Sequence, residues 1–208
     1  MNPNFSLQSV PTNGLPLDSP ITINLPPDLT HSRIAGQSLS GGGIVTTQMS
    51  NLGLERYLDS LGLQMVRTRV GDRYVTEHML GNGYNLGGEQ SGHIIMSDYN
   101  TTGDGLITVV KILSMLNETG KAASQVCKMF EPLPQLLTTI PCLSEDTLSE
   151  GEVRSVILGC EAELTGLGRL LVRYSGTEAA VRIMVEAEEE GMVNSISETI
   201  ASVVQRYA

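Results

Sequence analysis

From Gly41 onward the hydrophobic positions of this chain alternate between two rhythms. Gly43-Ile44-Val45-Thr46-Thr47 is rich in β-branched residues and predicts a strand. Leu54, Tyr57, Leu58 and Leu61 follow at i, i+3, i+4 and i+7, the spacing of one helical face. Leu63 to Val66 reads as a second strand, and Asp72 to Leu80 as a helix closed by Gly81-Asn82-Gly83. A glycine-rich loop, Gly87 to His93, precedes a short strand from His93 to Met96. A helix starting near Asp104 then puts Leu106, Val109, Val110, Leu113 and Leu116 on a face expected to be buried. Strand–helix alternation of this kind predicts an α/β layer, a parallel or mixed sheet with helices on both faces.

Pro132 and Pro134 interrupt that pattern, and a different one follows. Leu136 to Ile140 reads as a strand, and Val153, Val156, Ile157, Cys160 and Leu164 form one helical stripe. Two strands, Arg169 to Val172 and Ala180 to Glu186, flank a Ser-Gly-Thr turn, and a last helix carries Val193, Ile196, Ile200, Val203 and Val204. Each helix has a single apolar stripe, which predicts a smaller α+β unit with its helices on one face of the sheet. The expected division is therefore 41–120 for the α/β part and 134–208 for the α+β part. Residues 1–40 hold six of the nine prolines (Pro3, Pro11, Pro16, Pro20, Pro26 and Pro27) and read as a Pro-rich leader or linker, expected to be poorly ordered, with Ile21–Leu25 as its one strand candidate.

Composition narrows the function classes. With 40% hydrophobic and 4% aromatic residues and no Trp, the cores must be aliphatic. A formal charge of −10 argues against general nucleic-acid binding, yet leaves room for a small phosphorylated ligand held by a local arginine cluster. The chain has no apolar run of about 18 residues, and its N-terminus lacks the pattern of a secretory signal, so neither a membrane span nor export is expected. Cys127, Cys142 and Cys160 lie far apart without metal-ligand spacing, which reads as reduced thiols of a cytoplasmic protein.

Two segments carry candidate chemistry. Gly87-Gly88-Glu89-Gln90-Ser91-Gly92-His93 concentrates polar groups on backbone that can turn tightly. A polar surface turn is the simpler account of such a loop, but a strand directly after it would hold Glu89, Ser91 and His93 in fixed directions. Glu89 can accept from vicinal sugar hydroxyls, Ser91 can donate and accept, and His93 can act as acid or base near neutral pH. In Arg173-Tyr174-Ser175-Gly176-Thr177-Glu178 a guanidinium sits just before a donor-rich turn, and Arg182 follows on the next strand, away from its Val181/Ile183/Val185 face. Two arginines flanking such a turn suit a phosphate dianion.

Other segments read more plainly. Asp72 is expected to cap a helix with Arg73 solvated, and Thr101-Thr102-Gly103-Asp104-Gly105 to be a loop and helix start. Glu186, Glu188, Glu189 and Glu190 read as the solvated start of the last helix rather than a metal site, and His31 and His78 as ordinary residues. No segment offers a metal site.

These segments, with Gly41 to Glu55 and Val70 to Val75, resemble the α-D-phosphohexomutase superfamily and within it the bacterial phosphoglucosamine mutases. The resemblance runs from about Gly41 to the C-terminus and implies the third and fourth of four domains. It implies sugar recognition by Glu89, Ser91 and His93, with Arg73 on a loop facing the cleft, and phosphate binding by Arg173, Ser175, Gly176, Thr177 and Arg182. It further implies an isomerase acting on hexosamine or hexose phosphates. In whole relatives a phosphoserine gives its phosphoryl group to glucosamine 6-phosphate, the bisphosphate turns round, and the serine takes back the other phosphate, leaving glucosamine 1-phosphate. Mg²⁺ is the implied cofactor. Neither the serine loop (Thr-Ala-Ser-His-Asn-Pro-like) nor the Asp-Gly-Asp-x-Asp-Arg-like metal loop occurs in this sequence, and Ala179 stands where the family has Pro. Two further readings stay open: a separate polypeptide carries the missing N-terminal half, or the chain is a non-catalytic sugar-phosphate-binding module.

Overall fold

A computed structural model describes residues 39–208; the Pro-rich leader and its strand candidate at 21–25 lie outside the described residues. Strand β1 (Gly43–Thr47) leads into helix α1 (Leu52–Ser60), and the side chain of Asn51 caps that helix by accepting from the N–H of Gly53 at 2.8 Å. Strand β2 (Gln64–Thr68) lies parallel to β1, and helix α2 (Asp72–Asn82) ends at Gly83, whose φ of 73° is the left-handed stop expected of a glycine. Strand β3 (Leu86–Gly88) is again parallel to β1 and β4 (Ile94–Met96) antiparallel to β3, giving the order β2-β1-β3-β4.

Successive β1 residues serve opposite cores. Ile44 joins Leu54, Leu58 and Leu86 on the α1 side, while Val45 joins Val75, Met79, Tyr84 and Ile95 on the α2 side. Helices thus cover both faces, as the alternating pattern predicts.

Strand β3 departs from the sequence reading, which places Gly87 and Gly88 in a loop. A side chain at Gly87 would bring its Cβ to 2.6 Å from Met79 Sδ and 2.7 Å from the Val45 carbonyl oxygen. The strand can approach both neighbours only without a Cβ, so the residue it requires is one that strand propensity disfavours.

Helix α3 (Gly105–Thr119) is capped by Asp104, whose Oδ1 accepts from the N–H groups of Leu106 and Ile107 at 2.9 and 3.1 Å. Its apolar stripe contradicts the expectation of burial: Leu106, Val109, Val110 and Leu113 are 80%, 53%, 63% and 57% exposed, and Met115 is the buried residue. Periodicity reports which side chains share a face, not whether anything covers it; among the described residues no element does.

Beyond the short helix α4 (Ala123–Val126) come β5 (Gln135–Pro141), α5 (Gly151–Glu163), β6 (Gly168–Tyr174), β7 (Ala180–Ala187) and α6 (Glu190–Tyr207). The strands form an antiparallel sheet in the order β5-β7-β6. Val181, Ile183 and Val185 pack against Val153 and Cys160 of α5 and Val193, Ile196, Ile200 and Val204 of α6, so both helices lie on one face. The register sorts the other face into three rows: Gln135–Glu186–Arg169, Leu137–Met184–Leu171 and Thr139–Arg182–Arg173. Ionic chemistry lies at both ends of this face, with an apolar row between.

Candidate functional site

The β3–β4 turn builds the first polar cluster. Glu89 N–H donates to the His93 carbonyl at 2.9 Å and Gly92 N–H to the Glu89 carbonyl at 3.0 Å, with Gly92 at φ 94° to close the turn. Glu89 is only 9% exposed, and its Oε1 accepts from the N–H of Gly71 at 2.8 Å. Its other oxygen lies 3.9 Å from His93 Nδ1, and the Ser91 hydroxyl is 2.9 Å from that same nitrogen. Glu89, Ser91 and His93 are thus brought together, with one carboxylate oxygen committed to the fold and the imidazole on the exposed side.

The Gly71–Arg73 segment corrects the expected cap. Gly71, not Asp72, is the N-cap residue of α2, at φ 131°, and Asp72 is the first helical residue, its Oδ1 accepting from Arg73 N–H at 2.7 Å. The glycine conformation is what turns the Gly71 N–H toward Glu89, a tertiary demand that cap preferences do not encode. Arg73 is paired instead along its own helix: Nε meets Glu77 Oε1 at 2.7 Å, and the hydrogen bond and charge of Glu77 raise its pKa. The side chain is 81% exposed.

The second cluster is the tip of the β6–β7 hairpin. Arg173 and Arg182 face each other across the strands, which places two guanidinium groups on the open face beside the Ser175–Thr177 turn. Arg173 Nη1 donates to the Tyr174 carbonyl at 3.2 Å, and Arg182 Nη2 meets Glu178 Oε2 at 3.1 Å, while Arg182 Nε is buried without a partner. Ser175 Oγ and Thr177 Oγ1 lie 3.5 Å apart, so their hydroxyls converge. Tyr174 anchors the base of the turn, donating to the Ser144 carbonyl at 2.9 Å and accepting from Leu148 N–H at 3.0 Å.

A third feature escapes the sequence reading altogether. Glu186, expected to be solvated with the other acidic residues before α6, is 0% exposed. It lies in β7, as the strand read over Ala180 to Glu186 placed it, and its Oε2 pairs with Arg169 Nε at 2.6 Å. Its Oε1 accepts from the Leu52 N–H at 3.0 Å, and Arg169 donates to the carbonyls of Gln48 and Ser50, each at 2.7 Å. Arg67, paired with Glu55, donates to the same Ser50 carbonyl at 3.3 Å. Burial pushes the Glu186 carboxyl up and the Arg169 guanidinium down, each opposed by the other's charge. Removing one partner from such a buried pair costs roughly 3–5 kcal/mol, because the other charge is stranded. Alternation in Val181–Ala187, which puts Arg182 and Glu186 on one face, was the signal available for it.

Among the described residues, no group of three or more His, Cys, Asp or Glu side chains could hold a metal ion. No helix among them is long and apolar enough to cross a membrane, and the three cysteines are free.

Comparison with known proteins places this geometry. The family model described as phosphoglucomutase/phosphomannomutase, alpha/beta/alpha domain III, matches residues 29–133, and that of the C-terminal domain matches residues 141–203. The phosphoglucosamine mutase of Parvibaculum lavamentivorans is 51% identical over 171 residues, which cover 82% of this chain and 38% of that protein. The phosphoglucosamine mutase of Paramagnetospirillum magneticum is 50% identical over 184 residues, 87% of this chain and 40% of that one. Among solved structures, Aspergillus fumigatus N-acetylphosphoglucosamine mutase, determined with GlcNAc-6P and magnesium, superposes with a TM-score of 0.63 at 18% identity over 79% of this chain and 42% of that one. A phosphoglucomutase/phosphomannomutase family protein from Burkholderia thailandensis gives 0.62 at 18% identity, over 80% and 38%. The structures support the fold, and the sequence relatives narrow the family. The chain spans about 40% of the length of the curated relatives it matches. It belongs to the phosphoglucomutase/phosphomannomutase family, of which it carries domain III and the C-terminal domain, and the two sequence relatives named above are phosphoglucosamine mutases.

Proposed function

We propose that this chain is the ligand-recognition part of a phosphoglucosamine mutase, binding an amino-sugar phosphate with its sugar at the Glu89–His93 turn and its phosphate at the Arg173–Thr177 turn. In the whole enzyme the reaction would interconvert glucosamine 6-phosphate and glucosamine 1-phosphate in the cytoplasm. The observation that carries the reading is the pairing of Arg173 with Arg182 across the hairpin whose tip is Ser175-Gly176-Thr177. It concentrates positive charge and hydroxyl donors on one small patch of a protein whose formal charge is −10. The sugar end is supported by the turn that leaves one Glu89 oxygen and the exposed His93 ring available while Gly71 holds the other oxygen. His93, hydrogen-bonded through Nδ1 to Ser91, keeps Nε2 for proton exchange with a ligand hydroxyl. Arg73 would have to leave Glu77 to reach a ligand.

Domain boundaries at 41–120 and 134–208 fit this division of labour, with the intervening stretch as the connection. Mg²⁺ would serve the whole enzyme, and the residues of this chain would grip and orient the ligand. In the relatives the matched region is one part of a longer polypeptide.

Titration calorimetry on the 208-residue chain tests the reading. Glucosamine 6-phosphate should bind more tightly than inorganic phosphate. Arg173→Ala should weaken both by roughly 1.5–3 kcal/mol, the range for hydrogen bonds to charged groups. Glu89→Gln, which keeps an acceptor for Gly71, should weaken the sugar phosphate alone. Equal loss of both ligands in the Glu89 variant would count against the assigned roles.

A further inference from the structure

The two recognition turns belong to different sheets, and among the described residues no hydrogen bond or ion pair joins them directly. Their mechanical connection can be followed residue by residue. The Glu89–His93 turn grows from β3, which pairs with β1 through Gly87 and Val45. Strand β1 runs into the Gln48–Asn51 segment, where the carbonyls of Gln48 and Ser50 accept from Arg169 at 2.7 Å each. Arg169 stands on β6, the strand that ends at Arg173 and Tyr174 before the phosphate turn, about 13 Å farther along at roughly 3.3 Å per residue. Glu186 locks the joint from β7, holding Arg169 on one oxygen and the Leu52 N–H at the start of α1 on the other. The Ser50 carbonyl is gripped by one guanidinium from each sheet, Arg67 and Arg169. Gln135 adds bonds to the Met49 carbonyl and to Glu186, both at 3.4 Å, and Asn51 binds the backbone of Leu133 on the connecting segment.

We infer that Arg169 and Glu186 are positioning residues for ligand binding: by clamping the Gln48–Leu52 segment they fix the sugar-binding and phosphate-binding turns at one separation, so that a sugar phosphate is held at both ends by a single rigid site. This rests on the function proposed above. A guanidinium is needed because Glu186 and the two carbonyls are met from three separate nitrogens of one planar fork, Nε, Nη1 and Nη2, a spread that the single nitrogen of an ammonium does not reproduce. The expected signature is selective, because a ligand touching one turn gains nothing from the fixed separation, whereas a ligand spanning both turns loses its second anchorage when the separation wanders.

The test uses the whole 208-residue chain with Arg169→Lys, which keeps a charge beside Glu186 but loses the fork. The dissociation constant for glucosamine 6-phosphate should rise about tenfold or more, while that for inorganic phosphate stays within about twofold. Amide exchange at Leu52 should accelerate, with Ile183 and Val185 in the sheet core unchanged. Parallel weakening of both ligands, or faster Leu52 exchange with unaltered sugar-phosphate binding, would overturn the inference. A second measurement needs no variant. By reciprocity, saturating glucosamine 6-phosphate should slow Leu52 exchange in the unsubstituted chain and inorganic phosphate should not; equal effects of the two ligands would refute the coupling. If the unsubstituted chain does not bind glucosamine 6-phosphate, the functional reading fails instead, and Leu52 exchange in the lysine variant still judges the clamp.

Discussion

Replacing Gly87 by alanine should damage the fold and the Glu89–His93 turn together. The added Cβ would meet Met79 Sδ at 2.6 Å, the Val45 carbonyl oxygen at 2.7 Å and Val75 Cγ1 at 2.8 Å. Met79 can swing aside, but Val75 is stiff about χ1, and the Val45 carbonyl belongs to the parallel ladder between β1 and β3. Relief therefore requires β3 to move away from β1, and overpacking of this sort costs typically about 1–3 kcal/mol. A Gly→Ala change also lowers unfolded-chain entropy, recovering roughly 0.4–1 kcal/mol where the conformation is compatible. The net expectation is destabilisation of up to about 2.6 kcal/mol, with a mid-range value of about 1.3 kcal/mol that lowers the melting temperature by several degrees for a protein of this size. Because Glu89 begins the turn directly after β3, the displacement should also weaken glucosamine 6-phosphate binding. Urea unfolding read by amide signals of Val45 and Val75 isolates the first sheet from the second. Gly103→Ala is the control, since its Cβ would meet nothing closer than 3.6 Å. If the Gly87 and Gly103 variants unfold at the same urea concentration, the close-approach argument for β3 is wrong.

Other expectations follow from the same geometry. The chain alone should not interconvert glucosamine phosphates in a coupled assay with Mg²⁺ and a sugar bisphosphate primer; turnover abolished by His93→Ala would contradict this. Glu152 accepts from Tyr207 and pairs with Arg206, which hold its carboxyl below the usual range, so this contribution is present above pH 4.5 and lost as pH falls through the lowered folded value. Tyr207 is shifted upward, first by its bond to Glu152, so its share is present below pH 10 and lost as pH rises through the raised folded value; exchange of the last-turn amides of α6 should increase at both extremes. Ala179→Pro should raise stability by roughly 0.4–1 kcal/mol, read by urea titration, because the exposed Ala179 N–H donates no backbone bond within the hairpin tip. Leu106→Gln and Val110→Lys should leave the melting temperature unchanged, since surface substitutions are usually worth within about 0.5 kcal/mol, while delaying aggregation on concentration.

Much of the architecture was legible because its signals are local. The β-branched run of β1, the stripe of α6 and the alternation of β7 each report a buried face without reference to distant residues. The clustering of Arg173, Ser175, Gly176, Thr177 and Arg182 was legible for the same reason, since they lie within one hairpin. What sequence reasoning missed depends on partners far along the chain. Glu186 looks like a surface acid until Arg169 and the α1 N-terminus are placed around it. Gly87 looks like a loop residue until Val45 and Met79 close in. Leu106 and Val110 err in the opposite sense: their spacing is that of a buried helix face, and only the three-dimensional arrangement reveals that it lies open.

The β6–β7 hairpin also bears on how this half of the molecule reaches its native state. Ser175 to Ala179 is all that separates the two strands, whereas β5 must find β7 across the whole of α5 and β6. Short loops close with the least entropy, and hairpins form on a scale of about 1–10 μs. The hairpin is therefore the natural early structure of its sheet, presenting the β7 edge on which β5 then zips. Its tip is the Ser175–Thr177 turn proposed above to bind phosphate, and on that proposal those residues answer to two selections at once. They would present donors to an anion, and they must reverse the chain fast enough to start the sheet. Substitutions there should appear in refolding rates as well as in ligand affinity, and a turn optimised for either alone would depart from this sequence.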